Sequence, residues 1–379
     1  MPKQWSPKRL LGVALLASLA DVAGAAPVRA FRRLDTVVRD ADTIALAIVG
    51  PTRPIGDGVA VTLQVVETLK GSLPASLGAC YPLERAPNAV ADSTGKTVVA
   101  FLGPPRDGGE RRLFALTDGA PPAQYVVVVP NASPAVTLPE RTPDDTALTK
   151  VIKEFARSAA TSTHAGAWAY LLNLAWSRDV DPSVPVSLRE AFLAMNNSSN
   201  SWLAKRGVDG LLALGEIEGL RALQDALSQR PDDWRERGWP SALGNYYRSE
   251  SIEGTAILEG MISPGSPAEL RRAAGQALGR IHSFPMLPLL ARMLDDADID
   301  LRSKAVRGFS AFAAGFRVTG PQRKEGEWPF LTVEAMTWAV HDDALFRQRE
   351  AEYLIFWRNW WARNRALVME MAQREQRQQ

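Results

Sequence analysis

The sequence predicts an α+β protein of two domains, a small β-barrel or sandwich followed by an α-solenoid of helix pairs. Three observations predict it. Short β-branched and aromatic runs alternate with Gly, Pro, Asp and Asn clusters from about 34 to 140. After Pro139 the apolar residues fall at helical spacing instead. Within that helical half, one segment recurs 31 residues later. A chain of 379 residues, 46% of them hydrophobic, can bury two such cores.

The predicted strands are Thr43–Val49, Val59–Glu67, Thr97–Leu102, Arg112–Leu116 and Tyr125–Val129. In the second, Val59, Val61, Leu63 and Val65 form one face. Ala60 and Val66 share the other with Thr62 and Gln64, which predicts a strand largely covered on both sides. Gly71, Pro74, Pro104-Pro105, Gly108-Gly109 and Pro121-Pro122 supply the turns.

Thr142-Pro143-Asp144-Asp145 reads as a helix start, with proline in the first turn and acids behind it. Trp168, Leu171, Leu172, Ala175 and Trp176 then mark one helix face, and Ser187 with Glu190 predicts a capping box opening a helix at 188–195. Leu270–Ile281 and Leu301–Phe312 form the repeat. Leu270 and Leu301, Arg271 and Arg302, Ala274 and Ala305, Leu278 and Phe309, and Ile281 and Phe312 are each 31 apart. Val208–Gly215 aligns with Arg272–Gly279 at an offset of 64, close to two periods. Paired helices repeating at this length stack into a solenoid.

The pattern Leu-Arg-x-x-Ala-x-x-Ala-Leu-Gly-x-Ile at 270–281, with the Asp-Asp turn and Leu-Arg at 295–302, resembles HEAT-like repeats of the short type first named from phycobilisome lyases. Lyase activity does not follow, because the repeat serves unrelated functions. The strand order before it, with the second strand running into Leu69-Lys70-Gly71, resembles the netrin-like, TIMP-like barrel that precedes helical repeats in some exported bacterial proteins. That family's protease inhibitors chelate zinc through an N-terminal cysteine. The expected mature start here is Ala26-Pro27, so the activity is not carried over.

Residues 1–25 read as a cleavable secretory signal. Lys3, Lys8 and Arg9 precede the apolar run Leu10–Ala20, and Ala23-Gly24-Ala25 offers cleavage after Ala25. Asp21 ends the run well short of the roughly 20 apolar residues that a membrane span needs. The expected location is periplasmic or secreted. Cys80 is the single cysteine, so an intramolecular disulfide is excluded and the core alone must hold the fold. Removing the signal leaves a formally neutral protein, which points away from nucleic acid and anionic membranes as partners. The domains expected are thus the signal at 1–25, the barrel at 34–140, the solenoid at 143–365 with an aromatic closing helix, and a polar tail at 366–379.

Each candidate for chemistry has a structural reading that outweighs it. Asp296, Asp298 and Asp300 have the first spacings of a calcium loop, but Leu301 and Arg307 stand where it needs Gly and Glu. A solvated inter-helix turn is expected there. Ser93-Thr94-Gly95-Lys96 lacks both the earlier glycine and the following helix of a phosphate loop, so a hairpin turn is expected. His164, His282 and His341 have no ligand spacing, and His282 is expected to close a helix. Cys80 lies on or beside a strand without a nearby base. Tyr353, Phe356, Trp357, Trp360 and Trp361 form an aromatic stripe expected to cover the end of the solenoid core. Trp234, Trp239, Tyr246 and Tyr247 interrupt the repeat and are the binding candidates.

The sequence therefore points to a non-catalytic protein-interaction scaffold, with no catalytic residue, metal or cofactor assigned. Two alternatives stay open. One is a cell-wall or glycan-binding protein using Trp234, Trp239 or the C-terminal tryptophans; the other is a hydrolase whose residues converge only in three dimensions.

Overall fold

The structure, a computed structural model, describes residues 30–55, 58–82, 93–105, 109–114, 116–118, 126–129, 146–159, 165–176, 183–229, 243–244, 246, 252–316, 328–340 and 342–378. The signal segment lies outside them. The chain divides into two compact units, Met1–Gly207 and Val208–Gln379.

The first unit is built on a closed five-stranded β-barrel. Its strands are β2 (Thr43–Ile55), β3 (Gly58–Lys70), β4 (Ser76–Pro82), β5 (Thr97–Pro105) and β6 (Arg111–Leu113). Around the barrel the order is β2-β3-β4-β6-β5 and back to β2. All neighbours are antiparallel except β4 and β6, which pair in parallel at Ala79–Arg111 and Cys80–Arg112. The ladder beside β5 is continued by β8 (Val126–Val129), and a small ribbon pairs β1 (Ala30–Phe31) with β7 (Thr117–Asp118).

Alternation explains the barrel's interior. Ala45, Ala47 and Val49 meet Val59, Val61, Leu63, Leu77, Ala79, Tyr81, Val98, Ala100 and Leu102 in one core. On β3 the opposite face is open for much of its length, with Thr62 and Gln64 exposed and Val66 58% exposed, so that strand is covered on one side only. Strands β2 and β5 are the ones buried on both faces: Ile44, Val99 and Phe101 are fully enclosed on the outside of the barrel.

Helices provide that outer cover. Residues 34–40, read as part of the β region, instead form α1 (Leu34–Asp40), whose buried Leu34, Val37 and Val38 follow i, i+3 and i+4. It packs with α2 (Ala147–Ala159) and α3 (Ala165–Trp176). Phe155 of α2 bridges Phe101 and Tyr170 edge-on at 6.2 and 5.7 Å. Ser158 Oγ donates to Val128 O at 2.6 Å, and Tyr170 Oη donates to Leu116 O at 2.8 Å.

The first unit also takes α4 (Ser183–Asn196), and the division falls within α5 (Ser201–Leu214). The helices over 147–196, assigned from sequence to the solenoid, thus fall in the same compact unit as the barrel, because α2 buries its apolar stripe against β8 and Phe101 and α3 and α4 pack on α2. The capping box at Ser187 does not form. Helix α4 starts four residues earlier, with Pro185 in its first turn, and the buried Ser187 hydroxyl lies 3.2 Å from Thr149 Oγ1. Arg206 ties α5 to α2 and α3. Its guanidinium stands 3.5 Å from the Trp202 ring centre and 5.2 Å from that of Trp168, and donates to Ala159 O at 3.1 Å.

Leu69-Lys70-Gly71 has a physical role. Leu69 is buried, and Gly71 turns the chain at φ 77° with Thr43 Cγ2 only 2.6 Å from where a Cβ would sit. Lys70 Nζ donates to Val38 O, Arg39 O and Ala41 O at 2.8, 2.9 and 2.5 Å, satisfying the carbonyls that end α1. Lys70→Met keeps the aliphatic stem and deletes the donor. With a charged donor contributing about 1.5–3 kcal/mol, the urea midpoint is expected to fall by that equivalent at unchanged m-value.

Glu154 on α2 responds to pH. Burial pushes its carboxyl above the ordinary glutamate range, and Arg157, 2.9 Å away, offsets only part of that. A folded-state pKa above the unfolded one favours the protonated fold, so this group's contribution declines as pH rises above about 4.5. Glu154→Gln is expected to stabilise this unit at pH 7 and to change it little below about pH 4. Amide hydrogen exchange of the 147–159 segment at the two pH values checks it.

The second unit is helical. After α5 come α6 (Ile217–Gln229), α7 (Ile252–Met261), α8 (Ala268–Leu278), a 3₁₀ turn at Phe284–Met286, α9 (Leu287–Met293) and α10 (Ile299–Ala313). Short α11 (Val333–Thr337) and α12 (Asp343–Gln348) precede the long α13 (Glu350–Gln378). Among the described residues no helix is long and apolar enough to cross a membrane. Helices α6 to α10 pack on their sequence neighbours, and α13 packs on α9, α10, α12 and the 3₁₀ turn.

The two copies of the repeat occupy equivalent environments. Leu270, Ala274, Leu278 and Ile281 are buried, as are Leu301, Ala305, Phe309 and Phe312 at the matching positions. Arg271 reaches back to Ile262 O at 3.1 Å and forward to Asp296. Arg302 reaches back to Asp296 O and Ala297 O at 2.6 and 2.9 Å and forward to Glu350 at 2.5 Å. Each arginine thus closes its own turn and clamps the next. Glycines let α8 and α10 approach: a Cβ on Gly279 would lie 2.8 Å from Lys304 O, and one on Gly308 3.0 Å from Gly279 Cα.

Helix α13 covers the open end of this core. Trp357 is fully buried and stacks on Phe309 at 5.8 Å, while Trp360 meets Phe309 and Phe330 at 5.5 Å. Residues 366–378 are not a separate tail but continue the helix. Val368 and Ala372 are buried at i and i+4, and Glu375 Oε2 accepts from Phe284 N at 3.1 Å.

Candidate functional site

Among the described residues an open groove of about 790 Å³ lies in the helical unit. Two helices and a 3₁₀ turn that runs into a third bring their residues to it. Thr255, Ala256 and Glu259 come from α7; Pro285, Pro288, Leu289 and Arg292 come from the 3₁₀ turn and α9; Arg358, Trp361 and Arg365 come from α13. Each set follows helical spacing, so one turn-by-turn stripe per helix faces the same space. The prolines sit where the 3₁₀ turn and α9 begin, positions that need no amide donor.

The groove combines an aliphatic floor with a charged rim. Arg292 binds Glu259 at 2.5 Å across from α9 to α7. Arg358 binds Asp295 at 2.7 Å and donates to Leu294 O at 3.0 Å. Arg365 is exposed and has no carboxylate partner among the described residues. Both pairs are solvent-exposed, with side-chain exposures of 59% and 47%, and of 45% and 69%. Such pairs contribute about 0–1 kcal/mol each. Trp361 is half-buried, its ring 6.1 Å from Phe309, which leaves part of the indole to the groove.

Comparison with protein-family models, with curated proteins and with solved structures finds no match to this chain.

Of the binding candidates named from sequence, Tyr246 alone lies among the described residues. Tyr246 is fully buried in the helical core, beside Gly254. Its ring is a packing element and presents no surface to a ligand. Trp234, Trp239 and Tyr247 lie outside the described residues, as do His164 and His341. His282 does not close α8, which ends at Leu278; its ring stands 6.1 Å from Phe316. Cys80 is buried within β4. Ser93 to Lys96 form a turn that leads into β5, with Lys96 N donating to Ser93 O at 2.9 Å.

The aspartates at 296, 298 and 300 form the inter-helix turn. Asp298 caps α10 by accepting from Asp300 N at 2.9 Å, and Asp296 accepts from Asp298 N at 2.8 Å. Arg271 holds Asp296, Arg272 holds Asp298 and Asp300, and Arg347 holds Asp300. Burial raises the Asp298 carboxyl, but Arg272 and the Asp300 amide outweigh it and hold the group below the ordinary carboxylate range. A depressed carboxylate stabilises the fold above about pH 4 and loses that contribution as pH falls further. Among the described residues no group of three or more His, Cys, Asp or Glu is placed to hold a metal.

The sequence places Trp361 in the aromatic stripe and offers no local signal that by itself makes Glu259, Arg292, Arg358 or Arg365 a binding candidate. What can be read is Arg358, Trp361 and Arg365 at i, i+3 and i+7, a basic-aromatic stripe beside the apolar one.

Proposed function

We propose that this protein is an exported, non-catalytic interaction scaffold of a bacterial envelope, which presents the groove between α7, α9 and α13 to a protein partner. The groove carries this reading. Its apolar floor rests on buried repeat helices, and its rim offers arginines and an indole, the side chains most often found at binding hot spots. The arginines do not exchange protons near neutral pH, and the two carboxylates of the lining, Glu259 and Asp295, are each paired with one of them, an arrangement that supports recognition.

The solenoid reading is supported by the equivalent roles of Arg271 and Arg302 and by the matched burial of the two repeat copies. A five-stranded Greek-key barrel with one parallel pair is the arrangement of OB-type barrels, in keeping with the netrin-like resemblance. Export rests on residues 1–25, and N-terminal sequencing of the mature protein is expected to begin at Ala26.

Site-specific photocrosslinking in the native envelope tests the scaffold. A photoreactive residue at Ala256, on the groove wall, is expected to capture a defined protein, and one at Thr62, on the exposed face of β3, is not. Capture of glycan alone from Ala256 replaces the reading with the cell-wall-binding alternative, in which Trp361 does the stacking. Absence of any product at Ala256 overturns the reading.

A further inference from the structure

We infer that the groove binds an acidic peptide segment, a carboxylate side chain of which pairs with Arg365 while a neighbouring aliphatic side chain rests on Pro285, Pro288 and Leu289. This rests on the scaffold reading and gives its partner a chemistry.

The charge distribution sets the sign. Three arginines and two carboxylates line the groove, and the carboxylates are engaged by Arg292 and Arg358. Arg365 is left over, one turn beyond Trp361 on the same helix face. A guanidinium flanked by an indole and open to solvent is a ready bidentate seat for a carboxylate. The existing pairs show that the groove already accommodates carboxylates next to arginine on both walls. With those two pairs intact the lining carries one positive charge, on Arg365, and a ligand carboxylate gains its partner there.

The floor sets the class. Pro285, Pro288, Leu289 and Ala256 present carbon surface among the arginines, carboxylates and Thr255 of the lining, which suits aliphatic side chains that stand next to charged ones. Trp361 spends part of its ring on Phe309, which leaves a glycan only a fraction of a flat aromatic face to stack on. A peptide in extended form places alternate side chains on opposite sides, so acidic residues can meet the rim while apolar ones meet the floor.

The test is fluorescence anisotropy with the purified full chain and a labelled nine-residue peptide of Glu, Leu and Gly. Saturable binding is expected, weakened at least tenfold when Gln replaces Glu in the peptide, and likewise in Arg365→Glu. Arg365 is exposed and unpaired among the described residues, so the variant is expected to keep the wild-type unfolding transition; Arg365→Lys should bind with intermediate affinity. Equal binding of the Glu and Gln peptides, or wild-type affinity in Arg365→Glu, overturns the proposal. So does preferential binding of soluble peptidoglycan fragments. If Ala256 captures a protein in the envelope but the Glu peptide does not bind, the acidic-peptide assignment falls and the scaffold stands. If the peptide binds as expected and Ala256 captures nothing, the scaffold reading falls and the groove chemistry stands.

Discussion

Trp357→Ala is expected to lower the stability of the helical unit by about 3–5 kcal/mol, the range for emptying a buried aromatic site. Trp357 is fully buried, stacks on Phe309 and contacts Phe356 and Trp360 edge-on or tilted at 5.0 and 5.7 Å. Its indole Nε1 also donates to Trp338 O at 3.2 Å, which fixes the short turn after α11. The surrounding rings are rigid and held by α10 and α13, so the cavity cannot close by side-chain rotation alone. Urea unfolding followed by circular dichroism measures the loss. Trp357→Phe should recover part of it, because ring stacking survives while the hydrogen bond does not. A loss below about 1 kcal/mol for the alanine variant would mean that α13 is not the cover of this core.

Arg271→Leu is the second large effect, at about 2–4 kcal/mol. Arg271 and Asp296 are only 13% and 17% exposed, and removing one partner leaves the other charge largely desolvated. The Ile262 carbonyl loses its donor as well. The figure lies somewhat below that for a fully buried pair, because both side chains keep some contact with water. A double-mutant cycle separates the two causes. Arg271→Leu with Asp296→Leu should be less destabilising than the sum of the single changes, because the stranded carboxylate is gone. Strict additivity would show that the two side chains do not act as a pair.

Much of the fold was legible because period reports which face of an element is apolar. Four of the five predicted strands lie where the runs of β-branched residues place them, with ends moved by a few residues, and the fourth run is shorter, at Arg111–Leu113. The strand at Ser76–Pro82 was harder to see, since Gly78, Ala79 and Cys80 have little β-propensity on their own. Its register is imposed by pairing with Val59, Val61 and Leu63. Leu34–Asp40 was hidden for another reason: seven residues with three apolar positions fit either period. The tail was misread because Glu, Gln and Arg are strong helix formers as well as polar ones.

The site was less legible. Glu259 and Arg292 are 33 residues apart, and Asp295 and Arg358 are 63 apart. Nothing local selects those partners over the many other acids and arginines of the chain. The aromatic interruption at 231–250 drew attention because amphipathic aromatics suit binding, yet Tyr246 shows that an aromatic in an irregular segment can be a core residue.

The sequence alone determined the change from strand to helix after Pro139, the 31-residue recurrence, and the aromatic stripe of the last helix. These follow from which side chains avoid water, and hydrophobic periodicity states that directly. Tertiary structure decided what each apolar face is buried against. It placed α2 against β8 with α3 and α4 packed on α2, closed the barrel through the parallel β4–β6 pair, and brought Arg292, Arg358 and Arg365 to one groove. The hydrophobic effect is non-directional: it requires burial without naming the partner. Shape, close packing and long-range ion pairs choose the partner only once the chain has folded.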